Sequence, residues 1–152
     1  MASNGPTAAT STSRRKEIKR ARFIYPAFKI TFSAVPLLAD CHLHFEGSLP
    51  VGVLEELARR SGHSFARSGE FVARRDGIRD SAGFLALFAD VCRLLRSPDD
   101  YAFAAESLSR ALAEDGVGYA EVYVSPEICT RFKLDALACI EAVDAGFAAG
   151  ES

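Results

Sequence analysis

Residues 36–44 form a short, mostly apolar run that ends in two histidines spaced two positions apart, Pro-Leu-Leu-Ala-Asp-Cys-His-Leu-His. A run of this length, flanked by turn-forming residues, predicts a buried β-strand. Side chains at positions i and i+2 of a strand point to the same face. His42 and His44 should therefore lie side by side, while Cys41 and Leu43 point the other way. This feature limits the chain to folds that carry a polar site at the end of a buried strand.

The remaining pattern predicts four helices and one further strand. The helices are expected over about residues 49–61, 81–95, 98–114 and 135–149, with Ser48 and Ser97 as N-caps. Residues 117–124 are β-branched and aromatic, which predicts the second strand. Ser125 and Pro126 are interpreted as the end of this strand, with Ser125 as a turn former. Residues 63–80 are rich in Arg, Ser and Gly and are interpreted as a loop with a short turn of structure. Two strands joined by a helical crossover predict a parallel sheet and an α/β fold.

Two imidazoles at the end of a strand are suitable ligands for one divalent metal ion such as Zn²⁺. Catalytic zinc normally takes three protein ligands and keeps an open position, so His42 and His44 form an incomplete ligand set. Asp40 is predicted on the histidine face, where it could accept a hydrogen bond from a ligand imidazole. His63 lies in the loop and is interpreted as a surface residue. An H-x-H pair also occurs without a metal, and that interpretation stays open at this point.

Composition places the chain among single soluble domains. Its 152 residues are 49% hydrophobic and 25% charged. Apolar runs stay shorter than 18 residues, so no membrane-spanning helix is expected. Residues 1–36 carry a formal charge of +6 and the remaining 116 residues carry −8. A mildly acidic body of this kind does not predict a nucleic-acid partner.

Residues 1–36 are predicted to be a disordered, basic leader. The segment is interpreted as a transit peptide, as a tail, or as the result of a start codon assigned too far upstream. The cysteines include no C-x-x-C pair and lie in or beside apolar stretches, which favours reduced structural thiols and a cytoplasmic location. An organellar location is the alternative if residues 1–36 are a transit peptide.

Three blocks of the sequence, in this order, resemble the adenosine/AMP deaminase family of the amidohydrolase superfamily. The first is D-C-H-L-H-F-E-G-S-L-P at residues 40–50. The second is G-F-L with a further Phe at residues 83–88, and the third is E-D-G-V-G-Y-A-E-V-Y-V-S-P at residues 114–126. The resemblance covers residues 37–152.

This resemblance implies a (β/α)₈ TIM barrel, of which residues 37–152 supply the first two strands with their helices. It implies that His42 and His44 are two ligands of one Zn²⁺ ion at the carboxyl end of the first strand. It also implies that Glu46 binds substrate near the sugar 5′ end and that Phe84 lines the substrate entrance, although an ordinary core position for Phe84 stays open. The family's remaining ligands and catalytic groups belong to later strands and match no residue of this sequence.

For the complete protein, the resemblance implies zinc-dependent hydrolytic deamination of adenosine, or a related 6-aminopurine nucleoside, to the 6-oxo product and ammonia. Glu46 replaces the Asp that adenosine deaminases often carry, so adenine and aminofutalosine remain open as substrates. A non-catalytic helical interaction fragment is the alternative from another class. A barrel of this type needs ~250 residues, so the chain is expected to be a truncated piece that is marginally stable and inactive alone. The expected partner is a small purine nucleoside or base, and the sequence leaves the oligomeric state open.

Overall fold

The computed structural model describes residues 27–31 and 38–151. The elements in these ranges are β1 (Ala27–Thr31), β2 (Leu38–His44), α1 (Val51–Ser61), α2 (Glu70–Asp76), α3 (Ser81–Cys92), α4 (Pro98–Glu114), β3 (Val117–Tyr123), α5 (Pro126–Arg131) and α6 (Ala136–Gly150). Two 3-10 turns, Phe45–Gly47 and Ser64–Ala66, flank α1. Among the helices described, none is long and apolar enough to cross a membrane.

The sheet has the order β1-β3-β2, and β2 pairs with β3 in parallel. In this pairing, Leu43 lies opposite Val122 and His44 lies opposite Tyr123. The connection from β2 to β3 contains four helices. Parallel strands need a long connection of this kind, because a tight hairpin turn cannot join them. The predicted α/β fold with a parallel strand pair is confirmed, and the carboxyl ends of both strands meet at one edge of the sheet.

The other edge of β3 is covered by β1, a strand that the sequence analysis did not predict. β1 runs antiparallel to β3, with Ala27 opposite Tyr123 and Thr31 opposite Tyr119. The sequence predicts this segment as part of the leader, because residues 1–36 are basic and poor in acidic side chains. Residues 1–26 and 32–36 of the predicted leader lie outside the described residues.

The core lies between the sheet and the helices. Ala120, Val122 and Val124 alternate along and just beyond β3 and are at most 2% exposed, which makes this face of the strand the inner one. Phe45 and Tyr101 are fully buried beside it and stack with ring centroids 5.7 Å apart. All four cysteines are free thiols, and three of them are buried, as predicted for structural thiols: Cys92, Cys129 and Cys139.

The helix starts follow the predicted caps in one case and depart from them in another. At α4, Pro98 occupies the first turn and the hydroxyl of Ser97 accepts the main-chain N–H of Asp100 at 3.3 Å, which confirms the predicted cap. At α1, the predicted cap is wrong, because the helix begins after Pro50. The hydroxyl of Ser48 instead donates to the carbonyl oxygen of His44 at 2.7 Å. Ser48 therefore ties the end of β2 to the turn that follows it.

Two short helices, α2 and α5, lie where the sequence predicts no helix. α2 lies within residues 63–80, and none of its residues is buried. Its seven residues do not form the apolar stripe by which a helix is predicted from sequence. α5 follows directly after β3, where Ser125 and Pro126 were interpreted only as the end of the strand. Pro126 lies in the first turn of α5, a position that proline favours. A proline after a strand therefore fits the start of a helix as well as the end of the strand.

Helices α4 and α6 approach each other closely at two glycines of α6. A Cβ atom added at Gly146 would lie 2.3 Å from the carbonyl oxygen of Ala102, and one added at Gly150 would lie 2.5 Å from the Cβ of Ser109. Both distances are far below van der Waals contact. Only glycine therefore permits this separation of the two helix backbones.

We expect Gly146→Ala to lower the free energy of unfolding by about 1–3 kcal/mol, because the backbone of α4 must move to admit the methyl group. The matched control is Gly52→Ala in α1, where nothing lies within 4 Å of the added Cβ. That change should be neutral or stabilising by up to about 1 kcal/mol. Urea unfolding followed by circular dichroism measures both, and equal effects would contradict the close packing of α4 on α6.

Candidate active site

His42 and His44 converge at the carboxyl end of β2. Both residues are exposed, and their Nε2 atoms lie 3.1 Å apart. The predicted placement on one face is thus confirmed. Two imidazole nitrogens bound to one tetrahedral zinc ion at about 2.0–2.1 Å would lie about 3.3 Å apart. The observed separation fits a shared divalent cation, and the role of the two histidines as its ligands stays a prediction.

A bulge in β2 includes the first histidine of this pair. Asp40 is opposite Ala120 and Leu43 is opposite Val122, so β2 uses one more residue than β3 over this stretch. Two residues of β2, Cys41 and His42, therefore share the space opposite one residue of β3. Bulges of this kind turn side chains away from their regular direction and are frequent next to active sites.

The bulge overturns the prediction for Asp40. The sequence placed this residue on the histidine face, but its neighbour across the sheet is Ala120, which lies on the buried face of β3. Its Oδ1 accepts the main-chain N–H of His42 at 3.0 Å, and not an imidazole N–H as predicted. Asp40 therefore stabilises the irregular backbone from which His42 projects.

Glu46 joins the ends of the two parallel strands. It lies in the turn after β2 and is fully buried. Its Oε1 accepts the main-chain N–H of Ser125 at 2.9 Å, and the Ser125 hydroxyl lies 3.5 Å from Oε2. Burial raises the pKa of the Glu46 carboxyl above its ordinary value, and the bond from the Ser125 N–H and the nearby His44 offset this only in part.

The link from Glu46 to Ser125 was missed by the sequence analysis, which interpreted Ser125 as a turn former. A signal for it was present, because both residues follow the carboxyl ends of strands predicted to be parallel neighbours. Such ends lie at the same edge of a sheet. What the pattern does not show is that the carboxylate turns toward a main-chain N–H instead of toward solvent.

An apolar cavity of about 140 Å³ opens beside Glu46. Its volume is comparable with cavities that hold one aromatic ring. Phe84 is 55% exposed here and stacks on Phe88 with ring centroids 6.3 Å apart, so it is not a core residue. The substrate-binding roles of Glu46 and Phe84 stay predictions. The lining consists of Glu46, Gly47, Leu49, Leu54, Phe71, Arg75, Ile78, Phe84, Leu87, Phe88 and Val91.

The ligand set at the histidine pair is incomplete within residues 38–151. In this range, no group of three or more His, Cys, Asp or Glu side chains is placed to hold a metal ion. A catalytic zinc site with three protein ligands needs at least one ligand beyond His42 and His44. The third histidine, His63, caps the 3-10 turn Ser64–Ala66 instead, because its Nδ1 accepts the main-chain N–H of Phe65 at 3.2 Å.

Comparison with known proteins agrees with the geometry. Residues 37–152 match the family described as Adenosine deaminase. The chain is 32% identical over 115 residues to an adenine deaminase of Mesorhizobium japonicum, covering 74% of this chain and 34% of that enzyme. It is 31% identical over 107 residues to an aminodeoxyfutalosine deaminase of Streptomyces avermitilis, covering 70% and 30%.

A solved structure shows the same fold. The chain is similar to the crystal structure of an adenine deaminase from Arthrobacter aurescens with a TM-score of 0.63, at 24% identity over 77% of this chain and 36% of that one. β2 and β3 with their helices are therefore part of an α/β barrel, which carries its sites at the carboxyl ends of the strands. The chain belongs to the adenosine deaminase family. It spans about a third of the length of the curated relatives described above.

The buried carboxyl gives a stability prediction with a definite sign. The native state binds the Glu46 proton more tightly than the unfolded chain does. Protonated Glu46 therefore makes its full contribution to the free energy of unfolding below pH 4.5, and this contribution is lost as the pH rises through the raised pKa. Glu46→Gln keeps an oxygen that accepts the Ser125 N–H but carries no charge. We therefore expect the variant to lose less unfolding free energy than the wild type between about pH 4 and about pH 8.

Urea unfolding in the presence of a chelator measures this difference. The control is Glu56→Gln, because Arg60 lowers the pKa of the exposed Glu56 and gives the opposite sign. That variant should lose as much stability as the wild type over the same range, or more. Parallel profiles for Glu46→Gln and the wild type would contradict the raised pKa.

Proposed function

We propose that this chain supplies the first two metal ligands and part of the substrate wall of a hydrolytic deaminase that acts on the amino group of a 6-aminopurine. The observation that carries the proposal is the 3.1 Å approach of the His42 and His44 Nε2 atoms. It lies at the barrel end where active sites are found. Membership of the adenosine deaminase family supports the same reaction class.

In this proposal, His42 and His44 hold one divalent cation, which we propose to be Zn²⁺. Neutral imidazole is a preferred ligand of this ion, and the two ring nitrogens have a suitable separation. A cation held there supplies the Lewis acidity that makes water nucleophilic at neutral pH. Asp40 supports the pair indirectly, because its bond to the main-chain N–H of His42 holds the bulge in place.

The cavity beside Glu46 provides the substrate wall. A purine is flat and apolar on its faces, which suits contact with the exposed ring of Phe84 and the partly exposed ring of Phe88. Glu46 is the one acidic residue of the lining, and Ser125 fixes its orientation.

Among the substrates that the sequence left open, we propose adenine first. The Mesorhizobium japonicum relative is named for this substrate. Glu46 also agrees with it, because the resemblance associates Glu at this position with adenine and aminofutalosine deaminases. Aminodeoxyfutalosine is the second candidate, supported by the Streptomyces avermitilis relative. Adenosine remains the third substrate to be tested.

The metal ligands are tested on the 152-residue chain by titration with Zn²⁺, followed by NMR of the histidine ring protons. We expect saturable binding of one ion, weakened by more than about tenfold in His42→Ala and in His44→Ala. Mutation of a residue that only hydrogen-bonds a metal ligand already lowers metal affinity by about 10–100-fold. His63→Ala is the matched control and should bind as the wild type does. Equal loss in all three variants, or no binding by the wild type, would refute the assignment.

The reaction is tested in a complete barrel. Residues 37–152 would replace the matched segment of the Mesorhizobium japonicum adenine deaminase, and ammonia release would be measured with adenine, adenosine and aminodeoxyfutalosine. We expect the largest kcat/KM for adenine and a loss of more than about 10³-fold in His42→Ala, as for removal of a group essential to the transition state. His63→Ala should keep the activity. A folded, metal-loaded chimera that deaminates none of the three would contradict the proposal.

A further inference from the structure

We propose that Tyr123 is a positioning residue for the histidine pair, and that its ring holds His42 in the orientation in which the two Nε2 atoms meet. This inference rests on the proposed function only where it concerns the metal. The contact between the rings can be tested without any metal. It is a role that the resemblance did not assign.

The sheet brings Tyr123 to the histidines from the neighbouring strand. Tyr123 is the last residue of β3 and lies directly opposite His44. On β3, Tyr123 belongs to the partly exposed face, because its neighbours Val122 and Val124 are buried against the helices. The parallel register therefore places a large aromatic ring on the same face and at the same edge as the two imidazoles.

The distances show that the Tyr123 ring packs more closely on His42 than on His44. The ring centroid of Tyr123 lies 4.6 Å from that of His42 and 6.1 Å from that of His44. Both values lie within the 4.5–7 Å range of favourable aromatic contacts. The closer contact is with the diagonal neighbour rather than with the residue directly opposite, and the bulge that contains His42 accounts for this difference.

The contact has a consequence for metal binding. His42 and His44 are exposed, and an exposed imidazole that is free to rotate must be immobilised when it binds an ion. The imidazoles themselves meet nearly edge to face, at an interplanar angle of 75°. A ring packed on His42 keeps this arrangement before the ion arrives, so less freedom is lost on binding. Such preorganisation raises affinity without adding a ligand.

The test compares Tyr123→Leu with Tyr123→Phe in Zn²⁺ titrations of the 152-residue chain. The leucine variant removes the ring, and we expect it to bind about 3- to 10-fold more weakly, the range that follows from the cost of fixing one side chain. The phenylalanine variant keeps the ring and should stay within about twofold of the wild type. The matched control is Tyr119→Leu on the same face of β3, which should leave the affinity unchanged.

A second readout needs no metal. In the wild type at constant pH, we expect cross-relaxation between the ring protons of Tyr123 and His42, and a ring-current shift of the His42 protons that Tyr123→Leu removes. The shift should be smaller for His44, because its ring is farther away. If the leucine variant fails to fold, absence of the cross-relaxation in the wild type still overturns the proposal.

The outcomes separate this inference from the proposed function. Equal zinc affinity of Tyr123→Leu and the wild type would refute the positioning role while leaving the histidine pair as ligands. Equal loss in Tyr119→Leu would also refute it, because the effect would belong to the strand as a whole. No zinc binding by the wild type would refute the proposed ligands, and the NMR contact would then decide the Tyr123–His42 packing alone.

Discussion

The parallel pairing of β2 with β3 is the constraint on which the site depends. It brings together two strand ends that are separated by most of the described chain. The bond from the Ser125 main-chain N–H to Glu46 closes this edge across 79 positions of sequence. A buried carboxyl is unfavourable unless its oxygens are hydrogen-bonded. The same contact that satisfies Glu46 therefore also fixes where the histidines, the apolar cavity and Tyr123 lie relative to one another.

The bulge in β2 shows how far alternation along a strand can be used for prediction. His42 is the second residue of the bulge, and from there to His44 the strand alternates as expected, so the parity rule placed both rings on one face correctly. The step from Asp40 to His42 crosses the bulge, and there the same rule failed. A bulge is set by pairing with another strand, so the sequence of one strand does not reveal it. The error is confined to the residue whose carboxylate stabilises the bulge.

Elements with strong local signals were predicted well, and elements held by distant contacts were missed. The start of α4 follows from Ser97 and Pro98 alone, because a cap and a proline in the first turn act within a few residues. β1 depends on its ladder with β3, almost a hundred positions away, and its own sequence is a weak signal. For the site, the histidine geometry was local and predictable, whereas the links of Glu46 to Ser125 and of Tyr123 to His42 required the sheet register.

The sheet of the described residues differs from a closed (β/α)₈ barrel at the two strands that carry the proposed site. In a closed barrel every strand has two neighbours and all strands of a (β/α)₈ barrel run parallel. Within the described residues, β2 has β3 on one side only, and its histidines are exposed. β3 has two neighbours, but β1 runs antiparallel along the edge where a third barrel strand would pair. β1 and such a strand exclude each other at that edge of β3.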